Sequence, residues 1–323
     1  MDVMSILSGF PRYKFSLLPT PFHKLENISR DLSCNIYCKR DDLTGFAFGG
    51  NKTRKLDFLI ADVLSKNFNA IIAVGAIQSN FCRIAAAAAK NVGLDVYLVL
   101  GGTKPQKPTA NYLLAQIFGA KIHQIASEDW NEWEKISRQL GDELESQGKH
   151  AYILPVGGST PIGALGYVNA FFEILNDCKK MNIELDSIIH ASSSGGTQAG
   201  LIVGKALSGW EGKIIGMGVA KSNQQLKNEI YNLAVETGKL FGINIKEKDV
   251  SVDNSYMGKG YGKRTEEAEY AIDYFAKKEG ILLDHVYTGK AAAGLLDYVN
   301  KGLITKSEKV LFIHTGGNIE LFE

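Results

Sequence analysis

Residues 71–102 read IIAVGAIQSNFCRIAAAAAKNVGLDVYLVLGG. The run at 71–74 is short, apolar and rich in β-branched residues, as a strand buried on both faces should be. Residues 84–90 are alanine-rich and predict a helix, ending near Gly93. A second apolar run at 96–100 predicts another strand, stopped by Gly101-Gly102. Strand, helix and strand in this order make a βαβ unit, in which the two strands run parallel.

The same alternation extends outward. Helix 110–118 closes at Gly119, strand 121–125 follows, and 130–146 is a charged amphipathic helix. It resumes with strand 187–191, helix 200–208, strand 213–219 and helix 223–237. Helix 290–301 and strand 309–314 end the chain. Repeated βα units predict an α/β protein with parallel sheets covered by helices. Residues 157–166 (GGSTPIGALG) read as a Gly-rich turn opening a helix, a crossing between units. No low-complexity tract or fixed-period repeat interrupts the pattern.

The chain has 323 residues, which predicts about two domains. It is 45% hydrophobic and 22% charged, with 36 Lys+Arg against 35 Asp+Glu. That balance argues against nucleic acid as the main partner, because a phosphate backbone calls for a basic surface. No apolar run approaches the ~20 residues of a membrane span. Residues 1–10 carry Asp2 and no cationic start, so no signal peptide is expected. Four cysteines in this length are not a disulfide scaffold, and a cytoplasmic, reducing compartment is expected. The 34 glycines cluster as pairs, at 49–50, 101–102, 157–158, 195–196 and 316–317. Clustered glycines let backbone approach a ligand, often a phosphate.

Four segments carry candidate chemistry. Residues 45–55 (GFAFGGNKTRK) put Lys52 after a glycine pair. Asn51 stands where a P-loop needs glycine, which argues against that motif. A cation at a helix N-terminus opposes the macrodipole, so Lys52 reads either as a solvated lysine or as an amine nucleophile with a lowered pKa. Gln78-Ser79-Asn80 follow a strand and precede a helix. They suit either simple N-capping or a carboxylate site at a strand's carboxyl end. Residues 191–200 (ASSSGGTQAG) offer backbone N–H groups and hydroxyls at another helix N-terminus, a phosphate cradle of the non-Walker kind. Tyr261 and Tyr287 lie in aromatic, Gly-rich segments and read as acid/base groups or as packing residues. The six histidines include no pair three or four apart, and no metal site is expected.

A lysine, a carboxylate site and a phosphate cradle together suit pyridoxal phosphate. The motifs LLPTPFHKLENIS, KRDDLTGFAFGGNKTRKL, GAIQSN, GGSTPIGALGY, SGGTQAG, GKGYG, LLDHVYTGKAAAGL and LFIHTGG occur in that order. With them the chain resembles, over essentially its whole length, the pyridoxal-phosphate enzymes of the tryptophan-synthase β fold type. Within that type it is similar to the branch holding 1-aminocyclopropane-1-carboxylate deaminase and D-cysteine desulfhydrase. The resemblance implies two open twisted parallel-sheet domains with the cofactor in the cleft between them. A small domain of residues 55–166 would be inserted in a large one of residues 1–54 and 167–323. It implies that Lys52 bonds the cofactor aldehyde and that Lys55 assists at the phosphate. Ser194, Gly195, Gly196 and Thr197 would cradle that phosphate. Gln78, Ser79 and Asn80 would line the substrate site, with Ser79 and Asn80 on the carboxylate and Asn80 also near the cofactor ring hydroxyl. Tyr261 and Tyr287 would face the substrate, and Ser79 or Tyr287 would exchange a proton with the leaving group. A homodimer and a small amino-acid substrate are implied as well, with no nucleic-acid or membrane partner.

Two positions divide the branch. The deaminases are similar to this chain but carry Glu and Leu where it has Thr288 and Thr315. The threonine pair resembles the desulfhydrases, and the implied reaction is α,β-elimination of D-cysteine to pyruvate, ammonia and sulfide. A carboxylate near the ring nitrogen would deepen the electron sink that opening a cyclopropane needs. Expelling a thiolate needs less, and a neutral hydroxyl partner suffices. The chain departs from the family at Ser193, at Lys263-Arg264 after GYG, and at Asn318-Ile319-Glu320 after HTGG, where small residues are usual. The last two departures bear on the shape of the substrate pocket.

Overall fold

The computed structural model describes residues 7–323. The reading of the first ten residues as lacking a leader falls mostly outside them. The first half of the chain runs β1 (Phe22–Lys24), α1 (Glu26–Leu32), β2 (Asn35–Arg40), α2 (Asn51–Ser65), β3 (Ala70–Ala76), α3 (Asn80–Asn91), β4 (Asp95–Gly101), α4 (Ala110–Ile117), β5 (Lys121–Ile125), α5 (Trp130–Ser146) and β6 (Ala151–Leu154). The second half runs α6 (Pro161–Met181), β7 (Ser187–Ser192), α7 (Gly196–Ser208), β8 (Lys213–Gly218), α8 (Asn223–Lys239), β9 (Ser251–Asp253), α9 (Glu266–Glu279), α10 (Thr288–Asn300) and β10 (Lys309–His314). A 3-10 turn, Asn318–Phe322, closes the chain.

These strands form two sheets, as the βα alternation predicts. The smaller has the order β5-β4-β3-β6 and is parallel throughout, with Ile71 opposite Val96 on one side and Tyr152 on the other. The larger has the order β1-β2-β10-β7-β8-β9. It is parallel except at one edge, where β1 runs antiparallel to β2. Each sheet is covered on both faces. Apolar side chains of α3 pack on one face of the smaller sheet, and Trp133, Leu140 and Leu144 of α5 on the other. The larger sheet packs against α6, α7 and α8 on one face and against α9 and α10 on the other. Among the described residues no helix is long and apolar enough to cross a membrane.

Three expected boundaries move by about a helical turn or more. Both α3 and α7 begin four residues before their apolar patterns, at Asn80 and Gly196, because the polar and glycine residues ahead of each pattern form the first helical turn. In GGSTPIGALG only the first four residues make the turn. Pro161 opens α6, with Thr160 capping it through a bond from the Gly163 N–H at 3.1 Å. Gly163 and Gly166 therefore lie inside a helix. Residues 54–55 and 166–167 fall within α2 and α6, so the chain passes the expected domain boundaries as continuous helix.

Candidate active site

The carboxyl ends of β3, β7 and β10 point to one place, where an open α/β sheet offers its ligand site. Each is followed by one of the motifs singled out in the sequence. β3 leads through Gln78-Ser79 into α3, β7 through residues 193–195 into α7, and β10 into residues 315–317. Lys52 comes from the first turn of α2. An inner cavity is lined by Lys52, Asn80, residues 192–197, Tyr287 and Thr315. A wider cleft adjoins it, lined by Gln78, Trp130, Lys221, Tyr261 and Glu320, and Ser194 borders both.

Lys52 Nζ donates to Asn51 Oδ1 at 3.1 Å. Burial lowers its amine to about 8, against the opposing pull of Glu320 and Asp284, and the Arg83 charge lowers it further. An amine with that pKa has a substantial neutral, nucleophilic fraction near pH 8. Lys52 is half-buried and lines the inner cavity, so its amine sits in the cavity wall rather than on the open surface. Lys55, one helical turn on, is 1% exposed and donates to the Gly157 carbonyl at 3.0 Å. Burial, and then the charge of Lys52, hold it well below the ordinary lysine range.

The 192–197 segment has the shape of an anion cradle. Gly195 takes φ +81° at the N-cap of α7, a conformation costly for any residue with a Cβ. A Cβ on Gly196 would lie 2.6 Å from Lys55 Nζ and 2.7 Å from Ser159 Oγ. Ser159 Oγ donates to Ser194 Oγ at 2.8 Å and accepts from the Gly196 N–H at 3.2 Å. Asn51 donates to Thr197 Oγ1 at 3.0 Å. The buried Ser192 Oγ has no hydrogen-bond partner. Free N–H groups at a helix start, hydroxyls and a buried lysine fit a phosphate dianion, and Lys52 in the same cavity fits an aldehyde. The residues present therefore suit pyridoxal phosphate.

Across the cavity Ser79 caps α3, accepting from the Cys82 N–H at 3.2 Å. It lines neither space as a wall residue, so the capping role is the one the hydrogen bonds display. Asn80 lines the inner cavity, and its Oδ1 accepts from Arg83 Nη1 at 3.0 Å. Gln78 faces the wider cleft; its Oε1 accepts from the Tyr112 N–H at 3.1 Å, tying it to α4. The Tyr261 and Tyr287 hydroxyls are 2.5 Å apart. Burial raises both phenols above their ordinary value; after it the Glu320 charge raises Tyr261, against the hydrogen bond with Tyr287, while Tyr261 and then Glu320 raise Tyr287. Tyr261 also meets Trp130 edge-on, with ring centroids 6.1 Å apart, and both rings line the wider cleft.

The threonines do not share a setting. Thr315 lines the inner cavity. Thr288 is buried in the first turn of α10, and its Oγ1 donates to Asp284 Oδ2 at 2.5 Å. Asp284 also accepts from the N–H groups of Val286, Tyr287 and Thr288, so it caps the helix that carries Tyr287. Neither Asp284 nor Glu320 was singled out as a functional residue in the sequence. Glu320 is 3% exposed, and its Oε1 accepts from Asn80 Nδ2. The unusual NIE after HTGG was its only sequence signal. Among the described residues no group of three or more His, Cys, Asp or Glu is placed to hold a metal ion.

Comparison with known proteins agrees with this geometry. The model of the family described as pyridoxal-phosphate dependent enzyme matches residues 14–316. A Pyrococcus furiosus protein provisionally named 1-aminocyclopropane-1-carboxylate deaminase is 44% identical over 316 residues, covering 98% of this chain and 94% of its own. The D-cysteine desulfhydrase of Klebsiella pneumoniae is 37% identical over 321 residues, covering 98% and 97%. The crystal structure of an ACC deaminase homologue superposes with a TM-score of 0.93 at 39% identity, covering 100% of this chain and 97% of that one. The cavity suits the cofactor from its residues alone, and the relatives span the chain from end to end: it belongs to the pyridoxal-phosphate dependent enzyme family, among lyases of the ACC deaminase and D-cysteine desulfhydrase type.

Proposed function

We propose that the chain catalyses α,β-elimination of D-cysteine, with water, to pyruvate, ammonia and hydrogen sulfide. One observation carries this reading: the inner cavity contains no Asp or Glu among its lining residues, and Thr315 supplies a neutral hydroxyl there. A neutral partner for the cofactor ring leaves the electron sink shallow, which suits expulsion of a thiolate more than opening of a cyclopropane.

Pyridoxal phosphate, when bound, supplies the sink for the electron pair of the Cα–H bond. Lys52 would hold it through the amine, and the same Nζ would take the Cα proton of the substrate. Lys55 and the start of α7 would hold the phosphate, through the N–H groups of Ser194, Gly195 and Thr197 and the Thr197 hydroxyl, with the Gly196 N–H holding Ser159 Oγ beside it. Ser79 and Asn80, at the start of α3, receive the substrate carboxylate. Tyr287, bonded to Tyr261, gives a proton to the departing sulfur. Gln78 shapes the outer wall, and Thr288 holds Tyr287 in place through Asp284. In the same reading residues 55–166 form the small domain, residues 1–54 and 167–323 the cofactor domain, and the enzyme works as a cytoplasmic homodimer.

The Pyrococcus furiosus relative's name favours a second reading, ring opening of 1-aminocyclopropane-1-carboxylate to α-ketobutyrate and ammonia. A keto-acid assay on the cofactor-loaded protein separates the two. D-cysteine, L-cysteine and the cyclopropane are compared, with Lys52→Ala as control. Pyruvate and sulfide from D-cysteine are expected. α-Ketobutyrate from the cyclopropane in place of them overturns the reading.

A further inference from the structure

Glu320 is a carboxyl group half used. Its Oε1 accepts from Asn80 Nδ2 at 2.5 Å, while its buried Oε2 has no hydrogen-bond partner. The residue borders the wider cleft, and Asn80 borders the inner cavity. Arg83 does not neutralise it by contact: Nη1 and Nη2 donate to Asn80, Asn111 and the Gly49 carbonyl, and Nε has no hydrogen-bond partner. A buried carboxyl oxygen without a partner therefore stands beside the start of α3, on a residue that lines the wider cleft. An unpaired buried polar atom is costly and rare, so this oxygen points to a ligand.

The groups around it fix its protonation. Lys52 of α2, Arg83 of α3, Tyr261, Tyr287, Asp284 and Glu323 all act on Glu320 or feel its charge. Burial, and then Asp284 and Glu323, push its carboxyl well above the usual carboxylate range, while Arg83 and the Asn80 hydrogen bond pull the other way without prevailing. Because Oε1 accepts a hydrogen bond, the proton belongs on Oε2.

We infer that Glu320 is a substrate-binding residue whose Oε2 hydroxyl donates a hydrogen bond to the carboxylate of an amino-acid substrate at the start of α3. This rests on the proposed reading that Ser79 and Asn80 receive that carboxylate. Two carboxylates at one place cannot both stay ionised, so the complex holds one proton between them. Binding then weakens as pH rises through the Glu320 pKa. Glutamine keeps a donor there and cannot ionise; alanine keeps neither property.

The test uses the cofactor-loaded full chain and D- and L-alanine, which carry no leaving group on Cβ and so report binding without turnover. Affinity is measured by calorimetry from pH 6 to 9 for the wild type, Glu320→Gln and Glu320→Ala, with melting temperature and cofactor absorbance confirming each variant's fold and loading. The wild type is expected to lose affinity with rising pH more steeply than Glu320→Gln, by up to about tenfold per pH unit. Glu320→Ala at pH 7 is expected to bind roughly ten- to a hundredfold more weakly than the wild type, the loss of a hydrogen bond to a charged group. Parallel pH slopes in the wild type and Glu320→Gln, or tighter binding by Glu320→Ala, overturn the role of Glu320 and leave the proposed function standing. Failure of D-alanine and L-alanine alike to bind any loaded form overturns the amino-acid site of the proposed function, and this inference with it.

Discussion

Lys52 is chemically usable because of where its amine lies. A surface lysine at pH 7 is almost wholly protonated. Burial in the cavity brings this amine to about 8. Loading the cofactor-free protein with pyridoxal phosphate and reducing with borohydride is therefore expected to label Lys52 with a rate that rises through about pH 8. Lys52→Ala is expected to take no label, as read by mass spectrometry. The tyrosine pair gives a second expectation. If Tyr287 passes a proton to the leaving group, Tyr287→Phe lowers kcat about 10²- to 10⁴-fold while retaining the cofactor band. Tyr261→Phe, which removes only the partner hydroxyl, costs less. Steady-state kinetics on D-cysteine check both. Lys52, Asn80, residues 194–197 and Thr315 line one cavity; the strand ends made this legible for Asn80, residues 194–197 and Thr315, because parallel topology brings those ends together, whereas Lys52 follows no strand and was placed by the family resemblance. Thr288 was not legible in the same way. Its chain position puts it next to Tyr287, but its hydroxyl is turned to Asp284 by the need to cap α10. Glu320 was legible only as an oddity, since its burial depends on the last turn of the chain folding back toward α3.

The helix that carries Lys52 is held by contacts that no side chain could make. A Cβ on Gly166 of α6 would lie 2.4 Å from the Arg54 carbonyl oxygen and 2.8 Å from the Lys55 nitrogen. Backbone therefore meets backbone where α6 crosses α2, one turn from Lys52. The same device seats α7, since a Cβ on Gly200 would lie 2.3 Å from the Ala164 carbonyl oxygen. Gly166→Ala forces the two helices apart and is expected to destabilise the protein by about 1–3 kcal/mol, as overpacking does. It is also expected to weaken cofactor retention, because Lys52 and Lys55 move with α2. Urea midpoints and the cofactor dissociation constant check the two effects. Unchanged cofactor affinity in a destabilised variant would separate helix packing from the site. Gly163 and Gly166 explain why the sequence read 157–166 as a Gly-rich turn opening a helix, with the helix start unplaced. Glycine signals turns and close helix contacts with the same letter, and only the tertiary partner, here α2, distinguishes them. β2 and β6 went unread, and the other six strands longer than three residues were legible because buried parallel strands are continuous apolar runs. The three-residue β1 and β9 at the sheet edges were not, since neither is long enough to show a pattern.

At the scale of the molecule, a buried charge network joins the larger sheet to the helices that shape the cleft. Arg54 of α2 pairs with Asp41 through Nε and Nη2 at 2.8 and 2.7 Å, and with Glu173 of α6 through Nη1 and Nη2 at 3.0 and 2.9 Å. Lys39 of β2 reaches Glu173 at 2.7 Å and Asp177 at 2.6 Å, and Tyr167 donates to Asp41 at 2.6 Å. Burial alone would raise the Glu173 pKa, but the hydrogen bonds and charges of Arg54, and then of Lys39, prevail and hold it at about 2. A carboxyl lowered in the folded state gives stability that is fully present above its unfolded pKa, about 4.5, and is lost as pH falls toward 2. The shift corresponds to about 3 kcal/mol at neutral pH. Glu173→Gln removes this titration but leaves Arg54 and Lys39 with less compensating charge, which costs about 3–5 kcal/mol at pH 7 when a buried pair is broken. Urea unfolding of the cofactor-free protein at pH 7 and pH 3 is expected to show the variant far weaker than the wild type at pH 7 and closer to it at pH 3. A constant gap between the two would mean that Glu173 titrates normally, and that the network joins sheet to helices by shape and hydrogen bonding more than by charge.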